Sequence, residues 1–130
     1  MKLVAISIAA VACLWTSASP SFAGDAAAGE QTFKKCKACH QIGATAKNAV
    51  GPVLNGVVGR PAGKIADYAY SDANKGSGLT WDEATLTKYL KDPRGVVPGT
   101  KMTFPGLSNE TDISNVIAYL KQFGADGKKM

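Results

Sequence analysis

Histidine is almost missing from this sequence: His40 is the single one in 130 residues. Cysteine and methionine are nearly as scarce, at three of each. A structural zinc site takes four ligands, usually Cys or His, so this chain has little to build one from. There is no internal repeat and no low-complexity linker. No long basic run carries interleaved aromatics, the pattern that would suit nucleic acid. No apolar stretch is long and well flanked enough to cross a bilayer.

The longest apolar stretch, Leu3 to Trp15, follows Lys2 and precedes Ser21-Phe22-Ala23. A positive start, an apolar core and small residues at the cut describe a secretory signal. Residues 1–23 are therefore expected to be removed after Ala23, leaving one domain, 24–130, of 107 residues. A lipoprotein with Cys13 acylated is the alternative, but Ala10 is a poor match to the usual Leu. Removal takes away Met1 and Cys13 and leaves Cys36, Cys39, His40, Met102 and Met130. The formal charge of +5 drops to +4 with the loss of Lys2. Such a surplus concerns partners and association rate rather than fold.

The remaining cysteines and the histidine fall together in Cys36-Lys37-Ala38-Cys39-His40, a C-x-x-C-H run. This is the attachment signature of a c-type haem. Two thiols on one turn of chain can each add across a vinyl group of one porphyrin, and the next residue then lies under the iron. A neutral imidazole suits that place. Rival readings of the run are weaker. A thioredoxin-like C-x-x-C needs a βαβ setting, which the helical flanks do not supply. A zinc site lacks a fourth donor, and a plain disulfide leaves His40 unexplained.

Asp25 is positioned to cap a helix running towards the cysteines. Asn109 can cap a second, in which Ile113, Val116, Ile117 and Leu120 recur at helical spacing until Gly124 closes it. The two are expected to pack, with Gly29 allowing close approach and Phe33 meeting Val116, Tyr119 or Leu120. Glycines and prolines from Gly43 to Gly63 predict loop. A short helix is expected at Ser71 to Lys75, and another from near Thr80 carrying Trp81, Leu86, Tyr89 and Leu90. Asp92-Pro93 ends that helix or begins another turn. Residues 97–106, with Pro98 and Pro105, read as a rigid strap. So much loop in a small domain needs something to wrap. A porphyrin would supply that core, and the protein without it is expected to be largely unfolded.

Given a haem, elimination points to Met102 as the second axial ligand. There is no second histidine, Met130 sits at an end expected to fray, and lysine must lose a proton to bind. Its other role is flexible core filler.

Gly51-Pro52, Gly59-Arg60, Tyr70 followed by Ser71-Asp72-Ala73-Asn74-Lys75, Leu79-Thr80-Trp81, and Pro98-Gly99-Thr100-Lys101-Met102 stand in the order and spacing of class I cytochromes c. The chain resembles mitochondrial cytochrome c and the bacterial cytochromes c2 over nearly all of residues 24–130. That resemblance implies an all-α fold, with N- and C-terminal helices packed together and short helices and loops wrapped around one covalently bound haem c. It implies thioether links at Cys36 and Cys39, and His40 and Met102 as iron ligands. It implies that Pro52 accepts from the other nitrogen of His40 and that Arg60, Tyr70 and Trp81 surround the propionates. Asn74, Tyr89 and Thr100 would lie on the methionine side.

The spacing from Phe33 to Cys36 is one residue shorter than in mitochondrial cytochrome c and looks bacterial. Ser108-Asn109-Glu110 stands where the mitochondrial form has lysines, so the basic ring is thinner there. Lys34, Lys35, Lys37, Arg94 and Lys101 remain as docking candidates. The function implied is that of a soluble, monomeric, periplasmic electron shuttle and not an enzyme. It would run between a quinol:cytochrome c reductase and a terminal oxidase or photosynthetic reaction centre. Two alternatives stay open: an enzyme whose iron is left free by Met102, and a membrane-tethered relay anchored through Cys13.

Overall fold

The computed structural model describes residues 12–13 and 24–130. The expected leader lies outside them except for Ala12 and Cys13, and Cys13 is exposed. Among the described residues there are five helices: α1 (Ala26–Phe33), α2 (Asp72–Lys75), α3 (Glu83–Lys91), α4 (Pro93–Val96) and α5 (Glu110–Lys121). Beside these the same residues show two isolated bridges, Pro61 with Thr80 and Phe123 with Lys129. The architecture is all-α.

Each helix begins at a side-chain cap that satisfies amide hydrogens the first turn cannot pair. The Asp25 carboxylate accepts from the Ala27 and Ala28 amides. Ser71 caps α2, Asp82 caps α3, Asp92 caps α4 with Pro93 at its first position, and Asn109 caps α5.

α1 and α5 form the principal contact. The Asp25 amide donates to Asn115 Oδ1 at 2.8 Å. A Cβ on Gly29 would lie 1.9 Å from the Asn115 carbonyl oxygen, so the two backbones meet there and only glycine fits. One turn on, the Phe33 and Tyr119 ring centroids are 5.2 Å apart. Phe33, Ile113, Val116, Ile117 and Leu120 are buried around this crossing. α3 also packs on α5 and is followed by α4.

Three expectations need correction. The third helix starts at Glu83, so Trp81 lies ahead of it rather than on it. Its amide donates to the Arg60 carbonyl at 2.9 Å and its carbonyl accepts from the Gly59 amide at 2.8 Å. Those bonds extend the backbone, and the cap at Asp82 then starts the helix. At the far end α5 stops at Lys121, with Gln122 as its cap, and not at Gly124. The chain end is also tied down rather than frayed: the Met130 amide donates to the Gln122 carbonyl at 2.8 Å. The Met130 side chain is 88% exposed.

Candidate metal centre

The C-x-x-C-H run forms a tight turn directly after α1. The Cys39 and His40 amides both donate to the Cys36 carbonyl, at 3.1 and 2.9 Å. Both thiols are free and half-buried. Cys36, Cys39 and His40 face a cavity of about 400 Å³ enclosed by loops, α3 and α5, a size suited to a single organic ligand. Burial, and next the neighbouring Cys39, push the Cys36 thiol above its ordinary value.

The loop after the motif places an acceptor on the imidazole. Pro52 has no amide hydrogen to direct elsewhere, and its carbonyl lies 2.8 Å from His40 Nδ1. With Nδ1–H donating to that oxygen, Nε2 keeps its lone pair. Burial holds His40 below its usual value, outweighing the Pro52 hydrogen bond, and the Arg60 charge acts with burial. That direction favours the neutral ring. Gly51 makes room for it: a Cβ there would come within 2.4 Å of His40 Cε1.

Met102 reaches the same cavity from the strap. Exposure alternates along it, with Lys101, Thr103 and Pro105 exposed and Met102 and Phe104 half-buried. That alternation is the mark of extended chain over a core. The Met102 amide donates to Thr100 Oγ1 at 3.2 Å, and the Thr100 and Tyr89 hydroxyls share a hydrogen bond of 3.1 Å. Burial raises the Tyr89 hydroxyl above its ordinary range, against a smaller opposing effect of Thr100. The Tyr89 ring packs on Trp81 with centroids 4.7 Å apart.

Arg60 is anchored at the cavity wall, where burial lowers the guanidinium from its ordinary value. Its Nη1 donates to the Val53 and Asn55 carbonyls, both at 3.0 Å, while buried Nε has no protein partner. Asn74 Oδ1 is the other buried side-chain polar atom among the described residues without one. Tyr70 accepts the Ile65 amide at 3.2 Å. Among the expected cofactor and metal residues, Cys36, Cys39, His40, Pro52, Arg60, Tyr70, Asn74, Trp81, Tyr89, Thr100 and Met102 all line this one cavity.

Of the docking candidates, Lys35 and Lys101 border the cavity, whereas Lys34, Lys37 and Arg94 do not. Lys101 Nζ also donates to the Ala69 carbonyl at 2.9 Å, which ties the strap to a neighbouring loop. Sequence reasoning missed Tyr68, whose hydroxyl donates to the Val50 carbonyl at 2.7 Å and whose ring meets Tyr70 edge-on at 4.8 Å. Its two-residue spacing from Tyr70 was the available signal. Phe104, two residues beyond Met102, was missed in the same way.

The set of donors fits a covalently held haem. Two free thiols stand on one turn, a neutral imidazole is held in one tautomer, and a thioether and unpartnered buried polar groups line the same apolar-walled cavity. Among the described residues no three His, Cys, Asp or Glu side chains come together to hold a metal ion by themselves. These features fit a helical protein built around one covalently held haem.

Comparison with known proteins agrees. The cytochrome c family profile matches residues 26–124. Cytochrome c2 of Rhodoblastus acidophilus is 64% identical over 107 residues, which is 82% of this chain and all of that protein. Cytochrome c-554 of Methylosinus trichosporium is 58% identical over 121 residues, 93% of this chain and 92% of that one. Among solved structures, cytochrome cH from Methylobacterium extorquens superposes with a TM-score of 0.72 at 59% identity, covering 76% of this chain and 99% of that one. The chain belongs to the cytochrome c family, as a class I, c2-like member. It binds haem c covalently and is an electron-transfer protein rather than an enzyme.

Proposed function

We propose that this chain is a soluble, monomeric periplasmic shuttle. It takes one electron from a quinol:cytochrome c reductase and passes it to a terminal oxidase or a photosynthetic reaction centre. Residues 1–23 act as the export signal and are cut off after Ala23. The observation that carries the reading is the convergence of Cys36, Cys39, His40 and Met102 on one cavity, with Pro52 on the far nitrogen of His40.

When bound, the haem supplies an iron that accepts and releases one electron. Cys36 and Cys39 hold the ring by thioether bonds, so the cofactor does not exchange. His40 and Met102 would hold the iron between them and leave no ligand place for a substrate. A His/Met pair raises the potential relative to two nitrogen donors, because the soft thioether favours ferrous iron. Pro52 fixes the His40 tautomer and strengthens it as a donor. Arg60, Tyr70 and Trp81 receive the propionates, where the free Arg60 Nε offers a donor that a buried carboxylate needs. Asn74, Tyr89 and Thr100 set the polarity beside Met102. Lys35 and Lys101, with Lys34, Lys37 and Arg94 farther out, steer the molecule into acidic docking faces through small, quickly released interfaces.

Optical and magnetic spectra of both oxidation states test this reading. Low-spin iron with one sulfur ligand is expected in each state. A five-coordinate iron, or ready binding of cyanide or carbon monoxide at neutral pH, would replace the shuttle by an enzyme. A mature N-terminus at Gly24 in a soluble fraction is expected, and an acylated Cys13 would replace the free carrier by a tethered relay.

A further inference from the structure

The chain does not simply stop after α5. The Gly124 amide donates to the Lys128 carbonyl at 3.0 Å, Gly127 to Gly124 at 2.9 Å, and Met130 to Gln122 at 2.8 Å. Residues 124–130 thus fold back as a hook. The Lys129 ammonium lies 5.8 Å from the centre of the Phe123 ring, an added cation–π restraint.

The hook presses on a loop distant from it in sequence. Gly127 is buried with φ of 79°, and a Cβ there would lie 2.2 Å from the Gly43 carbonyl oxygen and 2.6 Å from Asn55 Nδ2. Beside it, the Gly56 amide donates to the Phe123 carbonyl at 3.2 Å. A Cβ on Gly56 would meet the Ala125 backbone at 3.0 Å.

Gly43 and Asn55 are themselves joined twice. The Gly43 amide donates to Asn55 Oδ1 at 2.9 Å, and Asn55 Nδ2 donates to the Gly43 carbonyl at 2.9 Å. This clasp closes the loop that carries Gly51 and Pro52. From this loop the Gly51 amide donates back to the Cys39 carbonyl at 2.8 Å and the Leu54 amide to the Gln41 carbonyl at 3.0 Å. The Pro52 carbonyl meets His40 Nδ1 at 2.8 Å. His40 stands just outside one end of the loop, and its acceptor stands just inside the other.

We propose that the C-terminal hook is a positioning element for His40. Gly127, seated on the Gly43–Asn55 clasp, holds the Pro52 carbonyl against Nδ1 and thereby sets how strongly the imidazole donates to its metal. The proposal rests on His40 being an iron ligand. It assigns Gly127 and Asn55 a role in the reduction potential, although neither lines the cavity.

The test uses the haem-loaded protein and two independent variants, Gly127→Ala and Asn55→Ala, so that poor folding of one leaves the other. Lys128→Gln, an exposed change within the hook, is the control. The readouts are deuterium exchange of the His40 Nδ1–H proton by nuclear magnetic resonance and the reduction potential. Loss of roughly one hydrogen bond's net worth predicts about fivefold faster exchange in both variants. A weaker bond to Pro52 also makes the imidazole a poorer donor, so the potential rises. The control moves neither. Wild-type exchange and potential in both variants, whatever happens to their melting temperatures, would overturn the proposal and leave the hook a plain structural brace. Absence of paramagnetically shifted His40 ring protons in the wild-type ferric protein would instead overturn the ligand assignment beneath it.

Discussion

Replacing Gly29 with alanine puts one methyl where α1 crosses α5. That carbon would lie 1.9 Å from the Asn115 carbonyl oxygen and 2.9 Å from Tyr119 Cβ, where ordinary contact is 3.4–4 Å. Neither neighbour is the far end of a flexible side chain, so the helices must part. Parting by about 0.5–1 Å already forfeits a quarter to a half of each contact along the seam. Two effects oppose each other: overpacking costs about 1–3 kcal/mol, while alanine is better than glycine in a helix by about 1 kcal/mol. Because the clash is with backbone, the steric cost sits at or above the top of its range, for a net loss of about 2 kcal/mol. In a domain of this size that lowers the melting temperature by about 8–16 °C. Thermal unfolding of the haem-loaded protein measures it, with Ala27→Gly on exposed helix surface as the reference for propensity alone. A Gly29→Ala protein as stable as wild type would refute the close-approach argument.

Four further outcomes are expected. Thr100→Val removes the hydroxyl shared by Tyr89 and the Met102 amide and costs about 1–2 kcal/mol; the optical signature of sulfur ligation should disappear at lower temperature than in wild type, and an unchanged transition would count against the Tyr89–Thr100–Met102 chain. Gly51→Ala forces a methyl into the His40 ring, so ferric spectra should show high-spin iron; a wholly low-spin spectrum would contradict this. The Thr85 amide holds the Asp82 carboxyl below its ordinary range, so the folded value lies under the unfolded one and this stabilisation is complete above about pH 4 and lost as pH falls through the folded value; urea midpoints should fall more steeply with acid in wild type than in Asp82→Asn, and parallel profiles would remove the capping role. Turnover with a membrane redox partner should fall as salt rises, because Lys35 and Lys101 at the cavity border act through a screened field; a flat response would remove steering.

Caps and motif were legible because their partners are a few residues away. Asp25, Ser71, Asp92-Pro93 and Asn109 announce helix starts through side chains that bond amides two or three positions on. Gly29 and Phe33 were legible through spacing on one helix face. Trp81 was misplaced because an apolar aromatic ahead of Leu86, Tyr89 and Leu90 fits a helical period, while the bonds to Gly59 and Arg60 that extend it leave no trace in local pattern. Met130 was expected to fray for the same reason: its anchor, the Gln122 carbonyl, is backbone and carries no side-chain signal.

By itself the sequence narrowed the candidate donors to a handful. One imidazole, two thiols on a single turn and one thioether on a proline-bounded strap leave few combinations, and scarcity needs no coordinates to read. Only the tertiary structure decided how those donors are held. It joined Tyr89 to Thr100, left Arg60 Nε without a hydrogen-bond partner, and set the hook of residues 124–130 on the Gly43–Asn55 clasp. The division follows range: capping and motif chemistry act over a few bonds of chain, whereas carbonyl acceptors are identical at every residue and acquire meaning only when folding brings one to a particular side chain.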